Sequence, residues 1–429
     1  MTSNRPGGLP TEDTVQKISS MMFFSDFTVS RPSYIKPDGR PREAADLVAL
    51  FDNQLLAFQV GSRAESAAGT SYKSEIELAR ITRVVEKCVN QLNTTRRAIE
   101  NSWLQPLTTI RGLVLPRQPS MTTPLTGIVV VEVGGESFLH PDERTRLRAS
   151  FTFSRATPVH VFLLDEFVAL AKELDTMPDF LEFLGRVRFL YEKDLLAEPP
   201  FILDLLALHK MDPDRLGDAI SRGVRVEIAD GVWATYQQEQ AVAIARRQEL
   251  NKPSYLIDGS IDTLHTGIDY SPPESMLSSI GIVGKGSIEG YIGIAHELAS
   301  LPRLERRLLG ERLVRCLKAA QSQDYSSSVL FDQPASAATL VLSTAMPRAQ
   351  RQEFLYLLCA IAYCHWGLKK IVGIATEPLT GHGRSYDSIG FAGATFSNAE
   401  ALAAEAGKYF GQPYEASGTE YTPGKSPDA

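Results

Sequence analysis

Two short apolar runs separated by a tight polar turn constrain the fold of this chain more than any other feature. They read EAADLVALF at 43–51 and NQLLAFQVG at 53–61, and Asp52 and Asn53 lie at the turn between them. Asp and Asn favour tight turns, so the simplest structure is a hairpin of two buried antiparallel strands. This hairpin predicts a β-sheet in the N-terminal half of the chain.

The surrounding pattern predicts an α/β fold in which a mixed sheet is flanked by helices. A first helix is expected from Thr11, and a long helix from Ser74 to about Trp103. Two further strands are expected at 126–133 and 157–164, followed by helix to about 195. This order of elements suits a mixed sheet with helices on its faces.

The second half of the chain has its own alternation of helices and strands, which predicts a second α/β domain of unknown role. The predicted organisation is therefore a disordered tail at 1–10, a first domain at 11–195, a linker at 196–219, a second domain at 220–411 and a disordered tail at 412–429.

Composition limits the classes of function. No run approaches the roughly 20 apolar residues of a membrane-spanning helix, and the polar N-terminus lacks the apolar core of a signal peptide. These features, with four cysteines in apolar helical patterns, predict a cytoplasmic protein without a membrane partner. The formal net charge of −7 means that binding to nucleic acid would need a local basic patch.

Polar residues interrupt the apolar strands of the hairpin. Asp46 and Gln59 would meet across it, and Glu43 lies three residues before Asp46. Their oxygens, with the backbone carbonyl of Val60, form a donor set that suits Mg²⁺ or Mn²⁺. Judged on Glu43 and Asp46 alone, ordinary polar residues at a strand edge are the alternative interpretation.

The spacing Glu43-x2-Asp46, then twelve residues, then Gln59-x-Gly61 resembles the PD-(D/E)XK nuclease superfamily. It is most similar to the Mrr-like restriction-endonuclease branch, in which glutamine often takes the second acidic position. The resemblance covers roughly residues 10–195. It implies that Asp46 binds the metal, that Gln59 supports it and that Glu12 on the first helix assists. It also implies DNA cleavage, with a role in bacterial defence or DNA processing.

Gly61 departs from this family pattern, because the family places a lysine there to orient water and stabilise phosphate charge. Two lysines further along the chain are candidate replacements. Lys73 lies just before the long helix, and Lys87 lies within it. Lys87 is the preferred candidate, because some members of the superfamily carry the lysine on such a helix. The alternative is a nuclease fold that has lost catalysis and binds nucleic acid or a protein partner.

Basic residues are concentrated on the long helix. From Ser74 to Arg117 there are seven Lys or Arg against four acids in an otherwise acidic chain. This local excess of positive charge predicts a DNA-facing surface, with double-stranded DNA the expected partner. A solvated helix face paired with nearby glutamates is the alternative. Two cuts on opposite strands would favour a homodimer. The surface would comprise Arg80, Arg83, Lys87, Arg96 and Arg97.

Overall fold

A computed structural model describes residues 10–51, 53–62, 74–132, 158–198, 200–264, 288–332, 336–378 and 384–410. The described residues up to 314 form one compact unit, and those from 315 onward belong to a second. Each unit contains a mixed sheet with helices, so the predicted α/β class is confirmed.

A five-stranded mixed sheet forms the centre of the first unit, with the strand order β1-β4-β5-β6-β7. Strands β4 and β5 form the predicted hairpin, in which Phe51 pairs with Gln54 and Leu47 with Phe58. Strands β5, β6 and β7 run parallel to one another. Two short strands, β2 and β3, pair separately. The strands are β1 (Thr28–Ser30), β2 (Ser33–Ile35), β3 (Pro41–Glu43), β4 (Leu47–Phe51), β5 (Gln54–Ser62), β6 (Leu125–Glu132) and β7 (Val159–Leu163).

Helices cover both faces of this sheet. On one face, Phe58 of β5 contacts Phe23 of α1 (Pro10–Phe23) and Phe167 of α3 (Leu164–Glu173). On the other, α2 (Ser74–Glu100) buries an apolar stripe that includes Ile81, Val85, Cys88 and Leu92 against the sheet. The alternation of side chains along a strand assigns Phe58 to the α1 face and its neighbours Ala57 and Gln59 to the α2 face.

The first unit continues through helices that the sequence divided among the end of the first domain, a linker and the second domain. Helix α5 has seven consecutive buried residues and therefore lacks the amphipathic period by which a sequence indicates a helix. These helices are α4 (Met177–Glu192), α5 (Ile202–Met211), α6 (Pro213–Arg222), α7 (Val232–Glu239), α8 (Ala241–Asn251), α9 (Ser254–Thr263), α10 (Ile288–Ala299) and α11 (Arg303–Ala319).

The second unit has a four-stranded sheet of order β11-β10-β9-β8. Strands β9 and β10 are parallel, and the two outer pairs are antiparallel. Helix α12 packs its buried residues, among them Leu355 and Cys359, into the same core as Ile371 of β10. The elements are β8 (Tyr325–Asp332), β9 (Ala337–Thr344), α12 (Arg348–His365), β10 (Lys370–Thr376), β11 (Tyr386–Ala392), α13 (Ala399–Ala404) and α14 (Ala406–Tyr409).

Within the described ranges, none of the helices has the length and apolar character needed to cross a membrane.

Candidate functional site

A pocket of about 280 Å³ lies on the α1 side of the first sheet. Glu12 of α1, Asp46 just before β4 and Val60 of β5 line it, together with Arg31, which follows β1. The pairing of β1 with β4 brings these residues together, since the Arg31 N–H donates to the Asp46 carbonyl at 2.9 Å. We call this feature the acid pocket. It contains Glu12, Asp46 and Val60, three of the five residues that the sequence placed in a metal site.

Asp46 is a largely buried carboxyl group among other acids. Its Oδ2 accepts the Val60 N–H at 2.6 Å. Burial raises the pKa of Asp46 to about 7, with further raising by a hydrogen bond and charge from Glu43 and by the charge of Glu12. The Val60 N–H opposes this rise in the pKa. The structure therefore brings Glu43, Asp46 and Glu12 into one electrostatic group.

Arg31 is the cation of the acid pocket, and the sequence analysis did not select it. Its guanidinium lies 2.6 Å from the carboxylate of Glu12, and this contact raises the pKa of Arg31. The Arg31 backbone has a φ of +49°, a left-handed conformation that is uncommon for arginine. Nothing in the sequence signals this conformation, although Arg31 does lie directly between a short strand and Pro32.

Gln59 does not line the acid pocket. It is only 3% exposed, and its Nε2 donates to the Ala44 carbonyl at 3.3 Å. The same carbonyl accepts the hydroxyl of Thr95 on α2. The amide of Gln59 therefore lies on the α2 face, while Asp46 lines the pocket on the α1 side and is also near enough to α2 for its charge to add to the rise that burial causes in the pKa of Cys88. The hairpin places these two residues opposite each other as predicted, but their side chains make hydrogen bonds to different parts of the chain.

The position of the missing lysine is closed by helix α2. A Cβ atom added to Gly61 would lie 2.4 Å from Cγ1 of Val84 and 3.4 Å from Sγ of Cys88. The first distance is far below a normal contact between carbon atoms, so even an alanine would displace its neighbour. The structure thus has no space at position 61 for the long side chain that the family pattern requires.

Lys87, the preferred replacement lysine, does not occupy that space. Lys87 is exposed on the outer side of α2, where it lines a shallow groove formed entirely by residues of that helix. Val84 and Cys88, on the inner side, fill the space beside Gly61 instead. Lys73 lies outside the described residues. Lys87 therefore belongs to the outer surface of the helix.

The donor set predicted for Mg²⁺ or Mn²⁺ does not converge in this arrangement. The Gln59 amide lies on the α2 face of the sheet. The Asp46 carboxylate accepts a hydrogen bond from the Val60 N–H, and the Glu12 carboxylate is paired with Arg31. Across the described ranges, no group of three or more His, Cys, Asp or Glu side chains could hold a metal ion. These residues as placed do not fit the implied metal, and the metal site stays a prediction.

The predicted basic surface on α2 is exposed for most of its length. Arg80, Arg83, Lys87 and Arg97 are exposed, while Arg96 is partly buried and pairs with Glu100 at 3.1 Å. We call these five residues the basic face. Arg80, Arg83, Lys87 and Arg97 lie on the side of α2 away from the apolar stripe, whereas Arg96 lies on the same side as the stripe.

The sequence matches no protein-family model, and it has no match among the curated proteins or among the solved structures.

Proposed function

We propose that the first unit is a DNA-binding module of nuclease-like design that does not cleave phosphodiester bonds. The observation that carries this proposal is the closure of position 61 by Val84 at 2.4 Å. The resemblance assigns the catalytic cation to that position, and neither Lys87 nor another lysine enters the space in the described part of the chain.

DNA binding is supported by the charge of the basic face. Between Leu78 and Glu100 there are five basic residues and two acids, Glu86 and Glu100. Of the two, Glu100 is engaged by Arg96. The remaining cations lie along one side of a helix of 27 residues, an arrangement that can follow a phosphate backbone. Recognition would be electrostatic and would fall with rising salt concentration.

The test is the affinity of the full chain for a labelled DNA duplex, measured by fluorescence anisotropy over a range of salt. We expect Arg83→Ala combined with Lys87→Ala to weaken binding about tenfold and to reduce the slope of log affinity against log salt by about 2. Arg222→Ala combined with Arg225→Ala is the matched control, because it also removes two exposed arginine or lysine charges. Equal losses in both double variants would refute binding at the basic face.

A metal-dependent DNA endonuclease is the second candidate, and it would need a rearranged acid pocket, because the residues as placed do not fit a metal ion. Asp46, Glu43 and Glu12 repel one another, which contributes to the pKa of about 7 at Asp46, and a divalent cation would relieve that repulsion. Such a site would require Arg31 to leave Glu12, since the two are now paired.

Cleavage of supercoiled plasmid with Mg²⁺ or Mn²⁺ separates the two candidates. The binding module predicts no cleavage by the wild-type chain at protein concentrations that saturate the DNA. Cleavage that disappears in Asp46→Ala but persists in Asp332→Ala, an exposed acid of the second unit, would establish the endonuclease instead.

A further inference from the structure

A polar cleft of about 620 Å³, more than twice the volume of the acid pocket, lies among the helices of the first unit. Residues from α3, α4, α5, α8, α9 and α11 line it. Six of its lining residues are basic and four are acidic. The volume falls within the range of sites that hold small-molecule ligands. We call it the helical cleft.

The acids of the helical cleft already have partners. Glu173 accepts the hydroxyl of Tyr236 at 2.9 Å and is paired with Arg247. Asp175 accepts the Arg303 Nε–H at 2.9 Å. Asp179 accepts the Arg303 backbone N–H at 3.1 Å and also the hydroxyl of Thr176. Glu249 is paired with Lys252 at 2.6 Å. These carboxylates therefore have little free capacity for additional cations.

Lys210 is left without such a partner. It lines the cleft from the last turn of α5 and, in the part of the chain that the structure describes, makes no hydrogen bond or ion pair. Burial lowers the pKa of Lys210 and the charge of Arg247 lowers it further, while the charges of Asp179, Glu173 and Asp175 oppose this fall. A partly buried ammonium group that makes no direct ion pair among the described residues is costly, and an anion in the cleft would reduce that cost. Lys172, at the exposed end of α3, lines the same cleft and has no partner among the residues that the structure describes.

An aromatic ring lies beside these lysines. Tyr255 is 48% exposed, and the guanidinium of Arg303 lies 5.1 Å from the centroid of its ring. The side-chain amides of Gln248 and Asn251 also line the cleft. A flat ring next to amide donors and acceptors can hold a nucleobase by stacking and hydrogen bonds.

We propose that the helical cleft is a binding site for a nucleotide, whose phosphates contact Lys210 and Lys172 and whose base stacks on Tyr255. Arg307, which also lines the cleft and has only a 4.0 Å contact with Glu311, supplies a further cation for the phosphates. This site shares no residue with the basic face or with the acid pocket, so it is independent of the proposed DNA binding.

Calorimetric titration of the full chain with ATP, GTP, CTP, UTP and inorganic pyrophosphate, with EDTA present, tests the proposal. We expect at least one nucleotide to bind with a Kd below about 100 μM. Lys210→Met should weaken that binding at least tenfold. Lys369→Met, which removes an exposed lysine of the second unit, should change the Kd less than twofold.

A second variant separates the base from the phosphates. Tyr255→Leu should weaken nucleotide binding about fivefold while leaving the Kd of pyrophosphate unchanged. The melting temperature of Lys210→Met without ligand should be no lower than that of the wild type, because the variant removes a buried charge. That measurement excludes misfolding as the cause of weaker binding.

The proposal is overturned if no nucleotide binds at about 1 mM, or if Lys210→Met binds as tightly as the wild type. Pyrophosphate binding as tight as nucleotide binding, with no effect of Tyr255→Leu, would overturn the nucleotide assignment and leave a simple anion site.

Discussion

At the scale of single residues, Asp46 makes the stability of the protein depend on pH. Its pKa is about 7 in the folded chain and about 3.8 when unfolded, so the folded state binds more protons between these values. Stability therefore falls as the pH rises from about 4 to 7, and the full cost, on the order of 2–4 kcal/mol, is present above pH 7. Asp46→Asn should remove this dependence and raise the free energy of unfolding at pH 8.

Urea unfolding of the wild type and Asp46→Asn at pH 4.5, 6 and 8 measures the difference. Asp332→Asn is the control, since that acid is exposed at the end of β8 in the second unit. If Asp46→Asn is no more stable than the wild type at pH 8, then the ionised Asp46 carboxylate does not destabilise the folded state.

The close contact between Gly61 and Val84 leads to a second prediction for a single residue. Gly61→Ala should lower the free energy of unfolding by about 1–3 kcal/mol, because the new methyl group meets Val84 Cγ1 at 2.4 Å. Val84→Ala removes that methyl group, so the double variant should lose less than the sum of the two single variants. The coupling, measured by urea unfolding in a double-mutant cycle, should be at least about 1 kcal/mol. Additive losses would show that Val84 does not close the position.

The sequence could predict which residues of the hairpin come together, but not the side to which each side chain turns. Pairing of β4 with β5 followed from two apolar runs and a turn, and it places Asp46 opposite Gln59. Asp46 lies one residue before β4 begins, and its carboxylate accepts a hydrogen bond from the N–H of Val60, which also lines the pocket. A contact of this kind depends on local geometry at the strand end, which residue spacing does not encode.

At the scale of elements, Asp258 on α9 connects two arginines of α11. Its two carboxylate oxygens accept from Arg303 at 2.6 Å and from the fully buried Arg306 at 2.8 Å. Asp258→Ala would leave a buried arginine without its charged partner, so it should cost about 3–5 kcal/mol.

Asp262, one turn further along α9, provides the matched control. Its side chain is 52% exposed and pairs with Arg111, so Asp262→Ala should cost less than about 1 kcal/mol. Chemical denaturation of both variants at pH 7 gives the comparison. Similar losses in the two variants would mean that α9 and α11 are not joined through Asp258.

Elements with a clear period were predictable, and elements without one were not. Helix α2 has an apolar stripe on one side and charges on the other, and its start at Ser74 was predicted correctly. Helix α8 has no buried residue, while α5 is buried along most of its length. Neither shows the mixed pattern that marks an amphipathic helix, because burial there is set by the other helices of the unit.

At the scale of the whole molecule, the boundary of the first unit predicts which fragments fold. A fragment ending at residue 195, where sequence patterns suggested a boundary, would separate Asp175 from Arg303 and Phe183 from His209. It would also remove the buried helix α5. We expect such a fragment to aggregate or to unfold without a cooperative transition.

A fragment ending at residue 322 keeps every described element of the first unit and the whole of α11. It should give a single cooperative thermal transition by circular dichroism and bind the DNA duplex like the full chain. Cooperative unfolding of the 1–195 fragment would contradict the boundary at 314. Loss of DNA binding in the 1–322 fragment would instead show that the second unit is needed for DNA binding.

The contact between Gly61 and Val84 also bears on the history of the chain. A single mutation that placed a lysine at position 61 would meet Val84 and Cys88 at once, and the protein would lose stability before it gained any chemistry. A smaller residue at position 84 would have to come first, although it would bring no benefit by itself. The packing of one valine thus makes a lysine at position 61 accessible only through two substitutions, of which the first must act at position 84.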